Sequence, residues 1–301
     1  MFEKIKQIFK KYNICEYERL NKGFSKDQKF ILKDNTDTKY LFRVSDISLY
    51  EKKKKQFELL KNIESLDIYC SKPIEFDLLD DNNCYMLLSW LDGIDGNDAI
   101  KLLSDEEAYF LGIEAGNVLR KLHNIKIDNQ PLTWYENYLI KKERKINSLL
   151  NCEYKIPMQE QLLEYYKNNT HLMKDRPLTF CHGDYHLGNM IVKNGKIGII
   201  DFDKNSIADP YDELKPFCWN VRESEYFETG LINGYFDNNI PSNFFKILKF
   251  YTIESMISHL PWAIQFGKEE VEVMISVNND QIKWWKNFEL DIPTWYKGIC
   301  F

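Results

Sequence analysis

The segment CHGDYHLGNMIVKNGKIGIIDFD, residues 181–203, decides how the sequence is interpreted. Asn194 and Gly195 stand between two apolar runs, which is the strongest short-range signal for a β-hairpin with a two-residue turn. In such a hairpin, Asn189 and Asp201 emerge side by side at the open end. The segment therefore predicts two strands and a polar cluster where they begin and end.

Further oxygen donors lie beside that open end. Asp184 precedes the first strand and Asp203 follows Asp201, so one loop and two strand ends are expected to bring them together. Mg²⁺ prefers carboxylate and phosphate oxygens. We therefore predict an oxygen-ligated metal and phosphate site. A transition-metal hydrolase site built on His182, Asp184 and His186 is the alternative, and it would need more ligands at suitable spacing.

Composition indicates a folded chain of more than one core. A length of 301 residues exceeds the usual size of a single core, and 44% hydrophobic residues argue against disorder. The formal net charge of -6 provides no basic field for nucleic acid or anionic lipid, so we expect neither as a partner.

The cysteines and the apolar runs indicate the compartment. Seven scattered cysteines without a C-x-x-C pair predict free thiols. No apolar run has the length of a membrane span, and the N-terminal helical pattern lacks the continuous apolar region of a signal peptide. We expect a cytoplasmic protein.

The first ninety residues predict a small sheet with one packed helix. Apolar runs within residues 28–46 flank a turn-like NTDT segment and indicate a β-hairpin. Phe57, Leu60 and Ile63 then form a helical stripe. The lysine-rich segment 51–56 is typical of a solvated helix face.

The remainder is predicted to be mainly helical. Ser104 and Glu107 fit a capping box at the start of a long apolar-periodic helix. Helical patterns recur near 134–150 and 157–174, and again after residue 220.

Several separated motifs resemble those of kinases. HGDYHLGN (182–189) matches the H-x-D-x-x-x-x-N catalytic loop, and IIDFD (199–203) resembles the metal-binding D-F-G region of the protein-kinase-like fold. The H-G-D form and ADPYDEL (208–214) are similar to the aminoglycoside phosphotransferase family, in its antibiotic and choline kinase branch. With LRKLH (119–123) closing the long helix, the resemblance extends over essentially the whole chain.

The resemblance implies an α+β, bilobal protein-kinase-like fold. It implies an N-terminal nucleotide-binding lobe with a small antiparallel sheet at residues 1–88, a hinge at 89–93, and a larger, mainly helical catalytic and substrate-binding lobe at 94–301. The implied activity is that of a small-molecule kinase, a transferase that uses ATP or GTP with Mg²⁺.

The resemblance also implies roles for the residues of the opening segment. Asp184 is the implied catalytic residue, which accepts or orients the proton of the attacking hydroxyl. Asn189 and Asp201 are the implied ligands of the Mg²⁺ that bridges the β- and γ-phosphates. Asp203, where the motif has glycine, is a candidate for a phosphate or metal contact.

Two histidines flank the implied catalytic residue. His182 is interpreted as a brace of the loop. His186 stays open between a packed or hydrogen-bonded group and a base. In ADPYDEL, Asp209 and Asp212 are expected to stabilise the loop and the helix start.

The nucleotide phosphates have candidate partners in the N-terminal lobe. Gly23 and Ser25 lie at the tip of a segment that resembles the phosphate-covering loop, although it is poorer in glycine. Arg43 stands where such kinases place a lysine on the third strand, and arginine can bridge phosphate oxygens. Gln56 stands where a glutamate is expected to pair with that cation, so the usual ion pair is in doubt.

The purine is implied to bind at the hinge. Backbone groups of Ser89, Trp90 and Leu91 would contact its edge, and Trp90 or its neighbours would pack on it.

The acceptor is expected to be a hydroxylated, cationic small molecule. Glu223, Glu225 and Glu254 are candidates to bind its ammonium groups, although acidic residues on helices are usually solvated. The favoured function is an aminoglycoside-type antibiotic resistance kinase, acting as a monomer. The alternatives are a metabolite kinase of the choline, homoserine, thioribose or ketosamine type, and a nucleotide-binding pseudokinase suggested by Arg43 and Gln56.

Overall fold

The computed structural model describes residues 2–21, 27–127, 134–299 and 301. The chain divides into two compact units. The first contains Met1–Ile94 and Met190–Asp203, and the second contains Asp95–Asn189 and Lys204–Phe301. In this division, the hairpin that precedes Asp203 is grouped with the N-terminal residues. The division at residues 89–93 stays a prediction.

Strands and helices are numbered along the described chain. The strands are β1 (Ile14–Leu20), β2 (Gln28–Asp34), β3 (Lys39–Asp46), β4 (Tyr69–Cys70), β5 (Pro73–Asp80), β6 (Asn83–Ser89), β7 (Ile94–Asp95), β8 (Thr179–Cys181), β9 (Met190–Lys193), β10 (Lys196–Ile199) and β11 (Ser206–Ala208). The helices are α1 (Phe2–Lys11), α2 (Tyr50–Glu64), α3 (Gly96–Ile100), α4 (Asp105–His123), α5 (Trp134–Leu150), α6 (Gln159–Asn168), α7 (Phe217–Glu223), α8 (Glu225–Phe236), α9 (Phe244–Ala263) and α10 (Lys268–Trp284).

In the first unit, an antiparallel sheet has the strand order β1-β2-β3-β6-β5. The predicted hairpin of β2 and β3 is present, with Lys29 opposite Arg43 and Phe30 opposite Phe42. Successive side chains on a strand point to opposite faces. Phe42 is buried in a core with Ile8 of α1, so Lys29 and Arg43 share the other face.

The helix that follows β3 packs as the stripe predicted. Phe57, Leu60 and Ile63 of α2 are all buried, and the helix contacts β4, β5 and β6. The ring of Phe57 lies 5.8 Å from that of Phe76 on β5. Burial of this stripe fixes which residues of α2 can face the sheet.

The hairpin of β9 and β10 is confirmed with the expected register. Ile191 pairs with Gly198, and the pair continues in a short sheet of order β4-β10-β9-β7. Asn194 and Gly195 have φ angles of 52° and 71°. A two-residue type I′ turn requires positive φ at both positions, which is why this dipeptide forms the turn.

The second unit is mainly helical, as predicted. The capping box at the start of α4 is present: Ser104 Oγ accepts from the backbone N–H of Glu107, and Glu107 Oε2 accepts from the backbone N–H of Ser104. Helix α9 is buried on nearly every side, in a core shared with α5, α6 and α10. Such all-round apolarity is typical of a central helix.

Helices α4 and α8 approach more closely than ordinary side chains allow. The contact is lined by glycines four residues apart on each helix, which places them on one face. A Cβ atom at any of them would lie within 2.1 to 2.3 Å of a carbonyl oxygen of the other helix. These glycines are Gly112, Gly116, Gly230 and Gly234.

The α+β class is confirmed by these elements, with an antiparallel sheet at the N-terminal side and helices after it. None of the helices in the described ranges combines the length and apolarity needed to cross a membrane.

The α4–α8 contact makes a stability prediction. Replacing Gly116 by Ala places a methyl group 2.2 Å from the carbonyl oxygen of Leu231, so the helices must separate. Alanine favours a helix by about 1 kcal/mol over glycine, whereas overpacking costs about 1–3 kcal/mol or more. We expect a net loss of unfolding free energy, measured by urea denaturation. Glu106→Ala, at an exposed position of the same helix, is the control, and an unchanged or higher stability of Gly116→Ala would refute the close contact.

Candidate active site

The backbone of the H-G-D loop is held by a buried glutamate. The Glu213 carboxylate accepts hydrogen bonds from the backbone N–H groups of His182 and Gly183, the latter at 2.8 Å. Gly183 has a φ of 87°, and a Cβ there would lie 2.2 Å from the carbonyl oxygen of Lys204. Glycine is therefore required beside Asp184 for both backbone conformation and space.

The rest of the loop is fixed by two neighbouring helices. Tyr185 donates its hydroxyl to the carbonyl oxygen of Ala115 on α4 at 2.7 Å. The backbone N–H of Leu187 donates to Asn220 Oδ1 of α7 at 2.8 Å. Asn220 in turn donates its Nδ2 to Glu228 Oε2 of α8 at 2.8 Å. The loop is thus attached at residues on both sides of Asp184.

These braces were only partly foreseen from the sequence. We expected Asp209 and Asp212 to stabilise this region, and Asp209 does accept a bidentate pair from Arg176 at 2.6 and 2.8 Å. The residue that holds the catalytic loop is Glu213, one position after Asp212. Nothing in the local pattern distinguishes the two carboxylates, because the contact joins residues about thirty positions apart.

The two oxygens of Asp184 have different surroundings. Oδ2 accepts from Asn189 Nδ2 and from Lys204 Nζ, each at 3.0 Å. Oδ1 has His186 Nε2 at 3.7 Å, which is beyond hydrogen-bonding distance. The side chain is 27% exposed. One oxygen therefore orients the carboxylate, and the other remains able to accept a hydrogen bond.

The surroundings of Asp184 keep it ionised. Burial by itself raises its pKa, but the nearby His186 imidazole and the Lys204 ammonium outweigh burial and hold the pKa well below its usual range. The carboxylate is consequently a weak base that carries a full negative charge at neutral pH.

Both histidines of the loop use Nδ1 to accept a backbone N–H group. His182, which is fully buried, accepts from Asp184 at 3.2 Å, and His186 accepts from Gly188 at 3.1 Å. His182 thus lies within the loop's own hydrogen bonds, as a brace would, and His186 Nε2 is directed to Asp184 and Asn189. Their parts in catalysis stay predictions.

A histidine-based metal site finds little support in the second unit. The His, Cys and acidic side chains that come close enough to share an ion in the described ranges are His123, Cys181 and Glu213. Glu213 already accepts the two loop N–H groups. The cluster therefore differs from the set His182, Asp184 and His186 that the hydrolase alternative requires.

In the first unit, Arg43 belongs to a buried group of four charges, which we call the Arg43 cluster: Arg43, Lys53, Asp27 and Asp203. Arg43 donates Nε to Asp27 at 3.0 Å and Nη2 to Asp203 at 2.7 Å. Lys53 donates to the same two carboxylates, at 2.7 and 3.1 Å. Two cations and two anions compensate each other, as buried charges must.

The lysine run of α2 is not solely a solvated face. Lys53 is only 4% exposed, whereas its neighbours Lys52, Lys54 and Lys55 are exposed. Lys53 precedes Phe57 by four residues and therefore lies on the buried stripe. The expectation of a fully solvated face was wrong at this position, and the helical spacing contained the signal.

Gln56 is buried on the same side of α2. Its Oε1 atom accepts no hydrogen bond from the residues described, and the partners of the Arg43 guanidinium are Asp27 and Asp203. The helix thus supplies a cation, Lys53, where kinases of the resembled type supply an anion. A role for Gln56 at the nucleotide stays a prediction.

Charge compensation is visible in the pKa values of this unit. Burial raises the pKa of Asp27 and of Asp203, but Arg43 and Lys53 outweigh it and leave both pKa values below their usual range. Burial lowers the pKa of Lys29, Arg43 lowers it further, and nearby carboxylates that include Asp203 oppose the shift.

Asp201 combines an uncommon backbone conformation with a buried carboxylate oxygen. Its φ angle is 65°, which is uncommon for a residue with a side chain. Its Oδ1 atom is buried and accepts no hydrogen bond from any described residue. A buried carboxylate oxygen without a donor is costly, and a hard cation such as Mg²⁺ would satisfy it. In the second unit, Asn189 donates its Nδ2 to Asp184, so its carbonyl oxygen is the atom suited to a metal.

The expected purine-binding residues use part of their backbone internally. The N–H of Ser89 donates to the carbonyl oxygen of Lys72 at 2.9 Å, and that of Trp90 donates to Lys39 at 3.1 Å. Leu91 is buried. Recognition of a base by the N–H groups of Ser89 or Trp90 would have to replace these bonds. Gly23 and Ser25 lie outside the described residues.

The three candidate carboxylates for a cationic acceptor each have a lysine partner. Glu223 lies 4.0 Å from Lys101, and Glu225 pairs with Lys297. Glu254 is 2% exposed and accepts from two lysines and two tyrosines, which are Lys145, Lys215, Tyr138 and Tyr166. Glu254 is therefore an internal structural charge, and its availability to a substrate is low.

The H-x-D-x-x-x-x-N loop, held in place by these contacts, is typical of enzymes of the kinase class. A sequence model of the phosphotransferase enzyme family matches residues 16–241, and the chain belongs to this family. The protein is accordingly an enzyme that transfers phosphate to a hydroxyl group of a small molecule.

Solved structures confirm the protein-kinase-like fold. A variant of aminoglycoside 2′-phosphotransferase IIIa in complex with GDP has a TM-score of 0.74 at 14% identity, over 96% of this chain and 98% of that chain. The gentamicin complex of APH(2″)-IIa has a TM-score of 0.66 at 18% identity, over 92% and 95%. The amicoumacin kinase hAmiN in complex with AMP-PNP, Ca²⁺ and Ami has a TM-score of 0.65 at 12% identity, over 97% and 98%. Comparison with curated protein sequences gives no match.

The Arg43 cluster can be tested with two adjacent lysines. Lys53→Gln leaves two buried carboxylates with one cation, so we expect a loss of about 3–5 kcal/mol in unfolding free energy. Lys54→Gln, at the exposed neighbouring position, should change stability by no more than about 0.5 kcal/mol. Denaturant unfolding of both variants measures the difference, and equal stabilities would show that Lys53 is solvated.

The buried Glu228 predicts a pH dependence of stability. Burial raises its pKa to about 8, and the hydrogen bond from Asn220 opposes this only in part. The folded protein therefore keeps a proton that the unfolded chain releases near its ordinary pKa of 4.5. Unfolding free energy should fall with rising pH, by about 1.4 kcal/mol per unit between those values.

Glu228→Gln removes this titration while retaining an acceptor for Asn220. Relative to the wild type, the variant should become progressively more stable from pH 5 to pH 8 in thermal or urea unfolding. Glu225→Gln, a partly exposed position at the start of the same helix, serves as the control. Parallel stability curves for the wild type and Glu228→Gln would contradict a buried, protonated Glu228.

Proposed function

We propose that the protein transfers the γ-phosphate of ATP or GTP, with Mg²⁺, to a hydroxyl group of an aminoglycoside-type antibiotic, and so acts as a resistance kinase. Family membership supports the transfer. The named relatives support the finer statement, since their structures contain nucleotides and antibiotics such as gentamicin and amicoumacin. We further propose that the enzyme acts as a monomer in the cytoplasm.

The observation that carries the proposal is the unequal environment of the Asp184 oxygens. Oδ2 is fixed by Asn189 and Lys204, while Oδ1 lies 3.7 Å from His186 and can accept the acceptor's hydroxyl. A hydroxyl that donates to Oδ1 is oriented for attack on the γ-phosphorus. Such positioning is a major part of catalysis in phosphoryl transfer.

The low pKa of Asp184 assigns it to orientation more than to early deprotonation. A strongly ionised carboxylate holds the hydroxyl hydrogen well but is a poor base before the transition state. Phosphoryl transfer passes through a loose transition state, in which little negative charge on the nucleophile is needed. The proton can then pass to Asp184 Oδ1 as the new O–P bond forms and the bond from the γ-phosphorus to the β-phosphate oxygen breaks, which releases ADP or GDP.

Asn189 and Asp201 are proposed to hold Mg²⁺. Asp201 Oδ1 is buried without a hydrogen-bond donor. Asn189 donates its amide nitrogen to Asp184, so its carbonyl oxygen is the atom that would coordinate the ion. When bound, the ion would neutralise charge on the β- and γ-phosphates.

A metabolite kinase is the second candidate. It is favoured by the lysine partners of Glu223, Glu225 and Glu254, because carboxylates that already have a cation attract an ammonium group less strongly. An acceptor with few positive charges, such as a sugar or an amino alcohol, would suit these helices better than a polycation.

The role of Asp184 is tested by a neutral isostere. Asp184→Asn should lower kcat by about 10²- to 10⁴-fold, because Asn189 and Lys204 would hold the amide oxygen and leave the amide NH2 group, a donor, facing the hydroxyl. Nucleotide affinity and thermal stability should stay near the wild-type values. Asp105→Asn, an exposed aspartate of α4, is the matched control. Retained phosphotransfer by Asp184→Asn would exclude Asp184 as the catalytic residue.

The acceptor is identified by a consumption assay. Purified protein is incubated with ATP or GTP and a panel of aminoglycosides, other hydroxylated antibiotics, amino alcohols and sugars, with and without Mg²⁺. Turnover with an antibiotic, together with raised tolerance of a sensitive host, is expected. Turnover restricted to a metabolite would favour the second candidate, and no turnover with any panel member would count against both.

A further inference from the structure

The Arg43 guanidinium is held by carboxylates of the first unit. The side chain is only 5% exposed, and two of its guanidinium nitrogens already donate to Asp27 and Asp203. Lys53 also donates hydrogen bonds to both of these carboxylates. Because the charges of the Arg43 cluster sum to zero, the cluster has no excess positive charge to offer a triphosphate.

Lys29 occupies the position beside this cluster. It lies directly opposite Arg43 in the β2–β3 ladder, so the two side chains leave the same face of the sheet with Cβ atoms about 4.5–5.5 Å apart. The opposite face carries Phe30 and Phe42, which pack on the α1 side of the sheet. Lys29 is only partly buried, unlike Arg43.

The electrostatic neighbours of Lys29 belong to the candidate site. Burial and Arg43 lower the pKa of its ammonium, and the carboxylates of Asp201, Asp203 and Asp27 oppose that shift. It is therefore a cation within the same unit as the implied metal ligand Asp201. Its four-carbon stem allows the ammonium to turn toward a phosphate oxygen.

We propose that Lys29, and not Arg43, is the side chain of the first unit that binds the nucleotide phosphates, and that Arg43 is a structural residue. The proposal rests on the nucleotide use given under Proposed function. Phosphate binding by Arg43 would strip a cation from Asp27 and Asp203, which are largely buried. Binding by Lys29 leaves the Arg43 cluster intact.

The experiment compares nucleotide binding by the wild type and by variants of Lys29, with no acceptor present. Affinities for ATP, ADP and adenosine, and for the guanine series, are measured by calorimetric titration in Mg²⁺. Lys29→Gln should weaken triphosphate binding by about 10- to 100-fold, the loss expected for one charged hydrogen bond, and leave nucleoside binding unchanged. Lys29→Arg should recover part of the loss. Thermal stability should change little.

Lys33→Gln is the matched control, since Lys33 lies on the same strand and the same face, four residues further on, and pairs with Asp37 at 2.8 Å. Its affinity for triphosphate should equal that of the wild type. Arg43→Gln should lower the melting temperature, and if it does not fold, the Lys29 and Lys33 comparison still decides.

Each outcome separates the Lys29 assignment from the proposed function. Wild-type binding of triphosphate with an unchanged Lys29→Gln affinity overturns the assignment alone. Loss of phosphate-dependent binding in a stable Arg43→Gln variant, with Lys29→Gln unaffected, returns the role to Arg43. Absence of any nucleotide binding by the wild type overturns the nucleotide use itself and the assignment with it.

Discussion

The close contact of α4 with α8 determines where the catalytic loop can lie. Four glycines let the two helix backbones meet, and each helix then supplies part of the support for that loop. Helix α4 offers the carbonyl oxygen of Ala115 to Tyr185, and α8 offers Glu228 to Asn220, which holds Leu187. A wider separation would move one support relative to the other. The position of Asp184 thus depends on a packing distance between residues that take no part in the chemistry.

Charge is handled differently in the two units. In the second, Asp184 keeps its negative charge through partners that leave one oxygen open. In the first, the charges of the Arg43 cluster pair with one another. Arg43 of β3 and Lys53 of α2 both donate hydrogen bonds to the same two carboxylates. A buried cluster of this kind contributes specificity of arrangement more than net stability, because desolvation offsets much of the attraction. It fixes α2 and Asp203 relative to the sheet.

Local sequence patterns were sufficient to predict many of the strands and helices and the residues of the H-G-D loop. Asn194 and Gly195 specify a turn through their own backbone preferences, and Ser104 with Glu107 specifies a helix start, so neighbours along the chain decide both. The partners of Arg43 could not be found in this way. Asp27 and Asp203 are sixteen and 160 positions distant, and many carboxylates in the chain look alike. Lys53 and the paired glycines are a different case. Their spacing along the helices indicates that they lie on buried faces, but residue composition alone does not show this. The roles of Asp184, Asn189 and Asp201 are predictions that rest on the motifs.

The glycine between His182 and Asp184 links catalysis to the chain that follows Asp203. A side chain at Gly183 would collide with the carbonyl oxygen of Lys204, whose own ammonium reaches back to Asp184. The two segments of the chain are thereby held close together at the Asp184 carboxylate, and the glycine of the H-G-D motif meets a steric requirement. The glycine of this motif therefore also serves the path of the chain, because a side chain at position 183 requires the segment after Asp203 to follow another route.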